Sequence, residues 1–144
     1  MHRRNQEPAM PKMIFVNLPV ADLDVAKAFY SGLGFTLNEQ FSDEQTASFV
    51  VSDAIVAMVM TEKRFTEFTT QGSVAAPGTA REVINALSAD SREEVDRLAD
   101  AGLAAGGSQG GDTQDHGFMY GRSVDDPDGH RWEFVWMDPS AIGG

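Results

Sequence analysis

The stretch Val124-Asp125-Asp126-Pro127-Asp128-Gly129-His130-Arg131-Trp132-Glu133-Phe134-Val135-Trp136 decides how the chain is read. Pro127 presets φ for the first central position of a type I turn, and Asp128 suits the second. Gly129 then supplies a left-handed residue, so two strands meet here as a hairpin. After the turn the residues alternate. His130, Trp132, Phe134 and Trp136 share one face and are built for a core. Arg131, Glu133, Val135 and Met137 share the other, where Glu133 is the one carboxylate.

Working outward, the same alternation and its helical counterpart divide the chain. Met13 to Pro19 reads as a strand, and Asp22 caps a helix through Leu23, Ala26, Phe29, Tyr30 and Leu33. Phe35 to Phe41, Thr46 to Ser52 and Ala54 to Thr61 read as strands, with a short helix expected over 62–71. Arg81 to Ala89 begins a second series. The capping pattern Ser91-Arg92-Glu93-Glu94 opens a helix carrying Val95, Leu98 and Ala99. Gly106 to Asp115 is glycine-rich and reads as a mobile loop with one short edge strand near its start. The closing hairpin spans His116 to Asp125 and His130 to Met137.

Strand, helix, strand, strand, strand thus occurs twice. Asp22 and Asp90 correspond at an offset of 68 residues, and Gly34-Phe35 corresponds to Gly102-Leu103. The expected fold is α+β: two tandem βαβββ modules forming a curved mixed sheet around a central cup, helices outside. The modules are 13–71 and 81–139, joined by a linker at 72–80. Flexible tails are expected at 1–12 and 140–144.

Composition narrows the function. The formal net charge is −11, so an acidic body would repel nucleic-acid backbones and anionic membranes. No apolar run approaches the ~20 residues that span a bilayer, and the N-terminal segment lacks the apolar region of a secretory signal. The chain has no cysteine, which removes disulfides, thiolate nucleophiles and cysteine metal sites. A reducing cytoplasm is the expected location.

Two modules of this kind resemble the vicinal oxygen chelate superfamily: glyoxalases, bleomycin resistance proteins and extradiol dioxygenases. Asn17-Leu18-Pro19-Val20-Ala21-Asp22-Leu23, Phe29-Tyr30 and Leu33-Gly34-Phe35 resemble its first module, and Asp126 to Glu133 resembles its C-terminal signature. Gly117 to Ser123, with Trp136-Met137-Asp138-Pro139, is similar to predicted lactoylglutathione-lyase-like bacterial proteins. In metal-dependent relatives four strand positions supply ligands to the cup. The resemblance places them on Phe15, within 55–61, near Ile84 and on Glu133. Only Glu133 is a metal-binding residue type, and one carboxylate does not hold a transition metal, so no metal and no other cofactor is expected.

The resemblance implies a small-molecule ligand in the cup and a homodimer. Glu133 is the candidate acid or base of a metal-independent lyase or isomerase; otherwise it pairs with Arg122 or Arg131. Phe15, Asn17, Met58, Met60, Tyr120 and Arg122 are the candidate ligand contacts, with Tyr120, Arg122 or Asn17 left to stabilise an enolate. The rival reading is a non-catalytic protein that sequesters an antibiotic or metabolite. His116 is a candidate loop acid or base, or a solvated histidine.

Overall fold

A computed structural model describes residues 12–70, 74–75 and 80–141. Most of the expected tails, and residues 71–73 and 76–79 around the linker, lie outside the described residues. The fold is α+β and built from two βαβββ modules. The first comprises β1 (Ile14–Val20), α1 (Leu23–Gly32), β2 (Thr36–Leu37), β3 (Thr46–Ser52), β4 (Ile55–Thr61) and a short α2 (Glu62–Thr66). The second comprises β5 (Ile84–Ser88), α3 (Arg92–Ala104), β6 (Ser108–Gln109), β7 (Gln114–Asp115), β8 (Met119–Asp125) and β9 (Arg131–Met137).

Each module makes its own open sheet. The orders are β1-β4-β3-β2 and β5-β9-β8-β6, with β7 also paired to β8. In both, the first strand runs parallel to the last: β1 with β4, β5 with β9. The internal repeat read from element order is therefore a repeat of topology. The hydrogen-bond ladders form two sheets of mixed strands, with outer strands β1 and β5.

Several elements are shorter than the sequence suggested. The strand expected over 35–41 is two residues long. Asn38 then caps a 3-10 turn at Glu39–Phe41, its side chain accepting from the Gln40 N–H at 3.1 Å. The strand expected from Arg81 starts at Ile84. The glycine-rich segment is held at several points and is not a free loop. β6 and β7 pair with β8, and the Gly111 N–H donates to Ser123 Oγ at 2.7 Å.

Helix ends follow local chemistry. Asp22 accepts from the Asp24 and Val25 N–H groups at 2.9 and 3.2 Å. Ser91 accepts from Glu94 N–H, and Glu94 reaches back to the Asp90 N–H rather than to Ser91. At the hairpin, Gly129 sits at φ 92°, the left-handed conformation its lack of a Cβ permits. The helices meet closely: a Cβ on Gly32 would lie 2.5 Å from that of Ala105, so only glycine fits there.

One core joins both modules. Phe29 and Tyr30 of α1, with Leu33 just after it, pack with Phe49 and Val59 of the first sheet and with Val124, Trp132 and Phe134 of the second. Trp132 is 1% exposed. At its centre Tyr30 Oη donates to Asp126 Oδ2 at 2.5 Å and accepts from Trp132 Nε1 at 3.0 Å. Asp126 Oδ1 accepts from the Asp128 and His130 N–H groups at 2.9 and 2.8 Å, so the turn's own backbone satisfies the rest of the carboxylate. The hairpin tip also latches to the first module. Asp128 Oδ1 accepts from the Ala21 N–H at 2.8 Å, and His130 Nε2 donates to the Pro19 carbonyl at 2.7 Å.

Burial raises the Asp126 carboxyl above the usual carboxylate range; nearby His130 and the hydrogen bonds it accepts offset only part of that. Because the folded pKa is raised, this group's stabilising contribution is complete below its unfolded value of about 3.9 and falls as pH rises through the folded value. The difference in melting temperature between wild type and Asp126→Asn should therefore move against the wild type across that window. A flat difference would show that Asp126 titrates normally. Tyr30→Phe leaves both Asp126 Oδ2 and Trp132 Nε1 without their partner and should cost about 1–3 kcal/mol in urea unfolding.

Candidate functional site

Strand alternation gives each sheet a helix-facing side and an open side. On the first sheet, Leu18, Val20, Ala47, Phe49, Ala57 and Val59 enter the core. The opposite parity carries Phe15 and Asn17 of β1, Ser48 and Val50 of β3, and Val56 and Met58 of β4. A cavity of about 530 Å³ lies on this open side. Met13, Phe15, Phe41, Val50, Val56 and Met58 make most of its wall, with Asn38, Ser48, Ser52 and Asp53. Phe15 is 54% exposed, unusual for a residue that sequence reasoning placed on a strand of a packed domain.

Not every expected contact reaches this cavity. Asn17 is exposed and donates from Nδ2 to the Phe15 carbonyl at 3.1 Å, so its amide is spent locally. Met60 is 2% exposed and does not line the cavity. Sequence reasoning missed Phe41, Asn38 and Ser48. Phe41 and Asn38 follow the end of β2, where an expected strand gives way to a turn. Ser48 was legible, since it shares parity with Thr46 and Val50.

Glu133 stands on the open side of the second sheet, between Ala86 of β5 and Ser123 of β8. It is half-buried. Among the described residues its carboxylate accepts no hydrogen bond and forms no ion pair. The pairing alternatives are both taken elsewhere. Arg131 binds Asp125 through two hydrogen bonds of 2.8 and 3.1 Å, and Arg122 binds Asp96 and Asp100 at 2.9 and 3.1 Å. A cleft of about 40 Å³ beside Glu133 is bordered by Asp112, Gln114, Met119, Gly121 and Ser123, with Arg122 and Val135.

Tyr120 and Arg122 require a correction. They share a face, as expected, but it is the face that carries buried Val124 and packs on α3. Tyr120 Oη donates to Asp96 Oδ1 at 2.7 Å, and with Arg122 it lowers the Asp96 pKa. The cup-facing residues of β8 are instead Met119, Gly121 and Ser123, opposite Met137, Val135 and Glu133. Val124 was the available signal: parity with a core valine puts Arg122 on the helix side.

Arg92 at the start of α3 holds the loop that borders this cleft. It bonds both oxygens of Asp115 at 3.1 and 2.8 Å and the Gly117 carbonyl at 3.1 Å. Its guanidinium also lies over the rings of Tyr120 and Trp136 at 4.9 and 5.4 Å. The Arg92 hydrogen bond, helped by the Gly117 N–H, lowers the Asp115 pKa to about 2. His116 follows on this loop, exposed and 6.4 Å from the Phe118 ring.

The four positions that hold a metal in metal-dependent relatives do not fit one here. Phe15, Ile84 and the stretch 55–61 offer no His, Asp or Glu, and the strand neighbour of Glu133 on β5 is Ala86. Among the described residues no group of three or more His, Asp or Glu side chains is placed to hold an ion.

A family model described as the glyoxalase/bleomycin resistance protein/dioxygenase superfamily matches residues 12–134. The chain belongs to this superfamily. Solved structures share the superfamily fold. A hypothetical protein from S. aureus is 26% identical with a TM-score of 0.73, covering 89% of this chain and 95% of its own. A lactoylglutathione lyase from Agrobacterium tumefaciens is 18% identical, with a TM-score of 0.65 and coverage of 96% and 100%. A fosfomycin resistance protein from Mesorhizobium loti is 14% identical, with a TM-score of 0.64 and the same coverage. The last two show the fold alone. No curated protein matches the chain.

Arg122→Gln should lower stability through loss of its pairing with Asp96 and Asp100, yet leave any ligand affinity within twofold. A larger affinity loss, measured by calorimetry at a temperature where the variant is folded, would return Arg122 to the site.

Proposed function

We propose that this superfamily member binds a small organic molecule in the cup between its two open sheet faces. The observation that carries the reading is the apolar cavity of about 530 Å³ on the first sheet. That volume is within the roughly 300–1,000 Å³ of small-molecule sites. Phe15, Phe41 and Met58 supply an aromatic and adaptable wall. Glu133 supplies the unpaired polar group of the opposite face.

A second reading, a lyase or isomerase that moves a proton next to a carbonyl, is favoured by that same carboxylate. Glu133 is half-buried, unpaired and beside an open cleft, as an acid or base has to be. Tyr120 donates to Asp96 and the Arg122 guanidinium is held by Asp96 and Asp100, so Ser123 and Gln114 are the neutral donors left to stabilise an enolate. This shortage supports binding without turnover, as in a resistance-type sequestering protein, over catalysis.

The cup has a partner requirement. Phe15 and Glu133 line separate cavities within the chain. Ile14 and Phe15 on outer strand β1 and Ile84 on outer strand β5 are exposed, at 56%, 54% and 49%. A homodimer covers these apolar strands and brings an open face of each kind together. No helix of the described residues is long and apolar enough to cross a membrane. The cysteine-free composition suits the cytoplasm.

A thermal-shift screen of small carbonyl compounds and antibiotics should find stabilising ligands whose effect Phe15→Ala removes. Glu133→Gln should abolish turnover of any converted ligand if the second reading holds, and should leave a pure binder's ligand chemically intact. Light scattering should report a dimer, and Ile14→Lys combined with Ile84→Lys should give a folded monomer. A wild-type monomer would remove the dimer from the proposal.

A further inference from the structure

We infer that the ligand of this cup is an organic cation with an apolar body; the inference rests on the binding role proposed above and adds its charge. It comes from how the charged side chains near the two open faces are paired. Among the described residues Asp53 is the one charged side chain lining the first cavity, and it makes no hydrogen bond or ion pair with any of them. On the second face Glu133 is unpaired, and Asp112 borders the same cleft.

The cations are disposed in the opposite way. Arg131 shares the cup-facing parity of Glu133, but Asp125 holds its Nε and Nη2, and Arg81 closes on the same carboxylate at 3.7 Å. Arg122 is held by two aspartates of α3, and Arg92 by Asp115 and two aromatic rings. Lys12, Lys27 and Lys63 line neither cavity. An anionic ligand meets Asp53 at the first cavity and Glu133 with Asp112 at the second cleft; among the described residues the one cation bordering either is Arg122, already held by Asp96 and Asp100, in a body of net charge −11. An ammonium gains from the same groups, and from the faces of Phe15 and Phe41.

The selection is therefore built on subtraction. Asp125 holds Arg131, the arginine on the same strand face as Glu133, while Glu133 accepts no hydrogen bond among the described residues. Asp53 and Asp112 are exposed, whereas Glu133 is half-buried, so charge discrimination is sharpest at Glu133.

The test uses three compounds with one body: 3-phenylpropylamine, 3-phenylpropanol and 3-phenylpropanoate, titrated into the full chain by calorimetry at neutral pH and low salt. The amine should bind about tenfold more tightly than the alcohol, and the carboxylate most weakly. Added salt should narrow the spread. Glu133→Gln and Asp53→Asn should each reduce the ratio of amine to alcohol affinity. Asp125→Asn, which frees Arg131, should raise affinity for the carboxylate. Wild-type binding of the carboxylate as tight as the amine overturns the inference. If the alcohol still binds and Phe15→Ala weakens it, the cup remains a binding site and only the charge selection fails. If none of the three binds, both fail.

Discussion

The rest of the structure depends on the buried contact among Tyr30, Asp126 and Trp132. Tyr30 comes from the first module's helix; the other two come from the second module's hairpin. A carboxylate largely removed from water is expensive unless its oxygens are occupied. Here one oxygen takes the tyrosine hydroxyl and the other takes two backbone N–H groups of its own turn. The arrangement ties turn geometry to helix position. The tip then meets the end of β1 through Ala21 and Pro19, so hairpin and first module dock as one unit.

Consequences for the site follow from β9. With Trp132 and Phe134 buried against α1 and its surroundings, Glu133 has one place to go, the open face. The same alternation on β8 carries Val124 inward, and Arg122 and Tyr120 with it. Their polar ends are then satisfied by Asp96 and Asp100, one turn apart on α3. An arginine that sequence reasoning offered to a substrate is used instead to fasten a helix to a sheet. Arg92 plays a comparable part at the start of that helix, where it fastens the glycine-rich segment.

Legibility in the sequence was uneven for physical reasons. The hairpin, the capped helices and the repeated element order rest on interactions between residues near one another in the chain, and these read well. The superfamily membership rests on the same local motifs, and the match over residues 12–134 agrees with them. β2 was overextended because Phe35 to Phe41 is apolar enough for a strand, whereas Asn38 turns the backbone through a local side-chain bond. The loop at 106–115 was read as mobile from its glycines. Its order comes from Ser123, Arg92 and the β8 edge, all distant in sequence or on other elements.

The sequence by itself determined the α+β class, the two-module order, the turn at Pro127–Gly129 and the isolation of Glu133 as the sole carboxylate at a relative's metal position. The first three follow from residue type and spacing, which a chain carries before it folds; the last rests on the resemblance to metal-dependent relatives. Only the tertiary structure decided which face each polar strand residue occupies and which charges are already spent. Pairing such as Arg131 with Asp125, or Arg122 with Asp96, arises when separate elements pack, and packing sets the distances on which charge and hydrogen bonding depend.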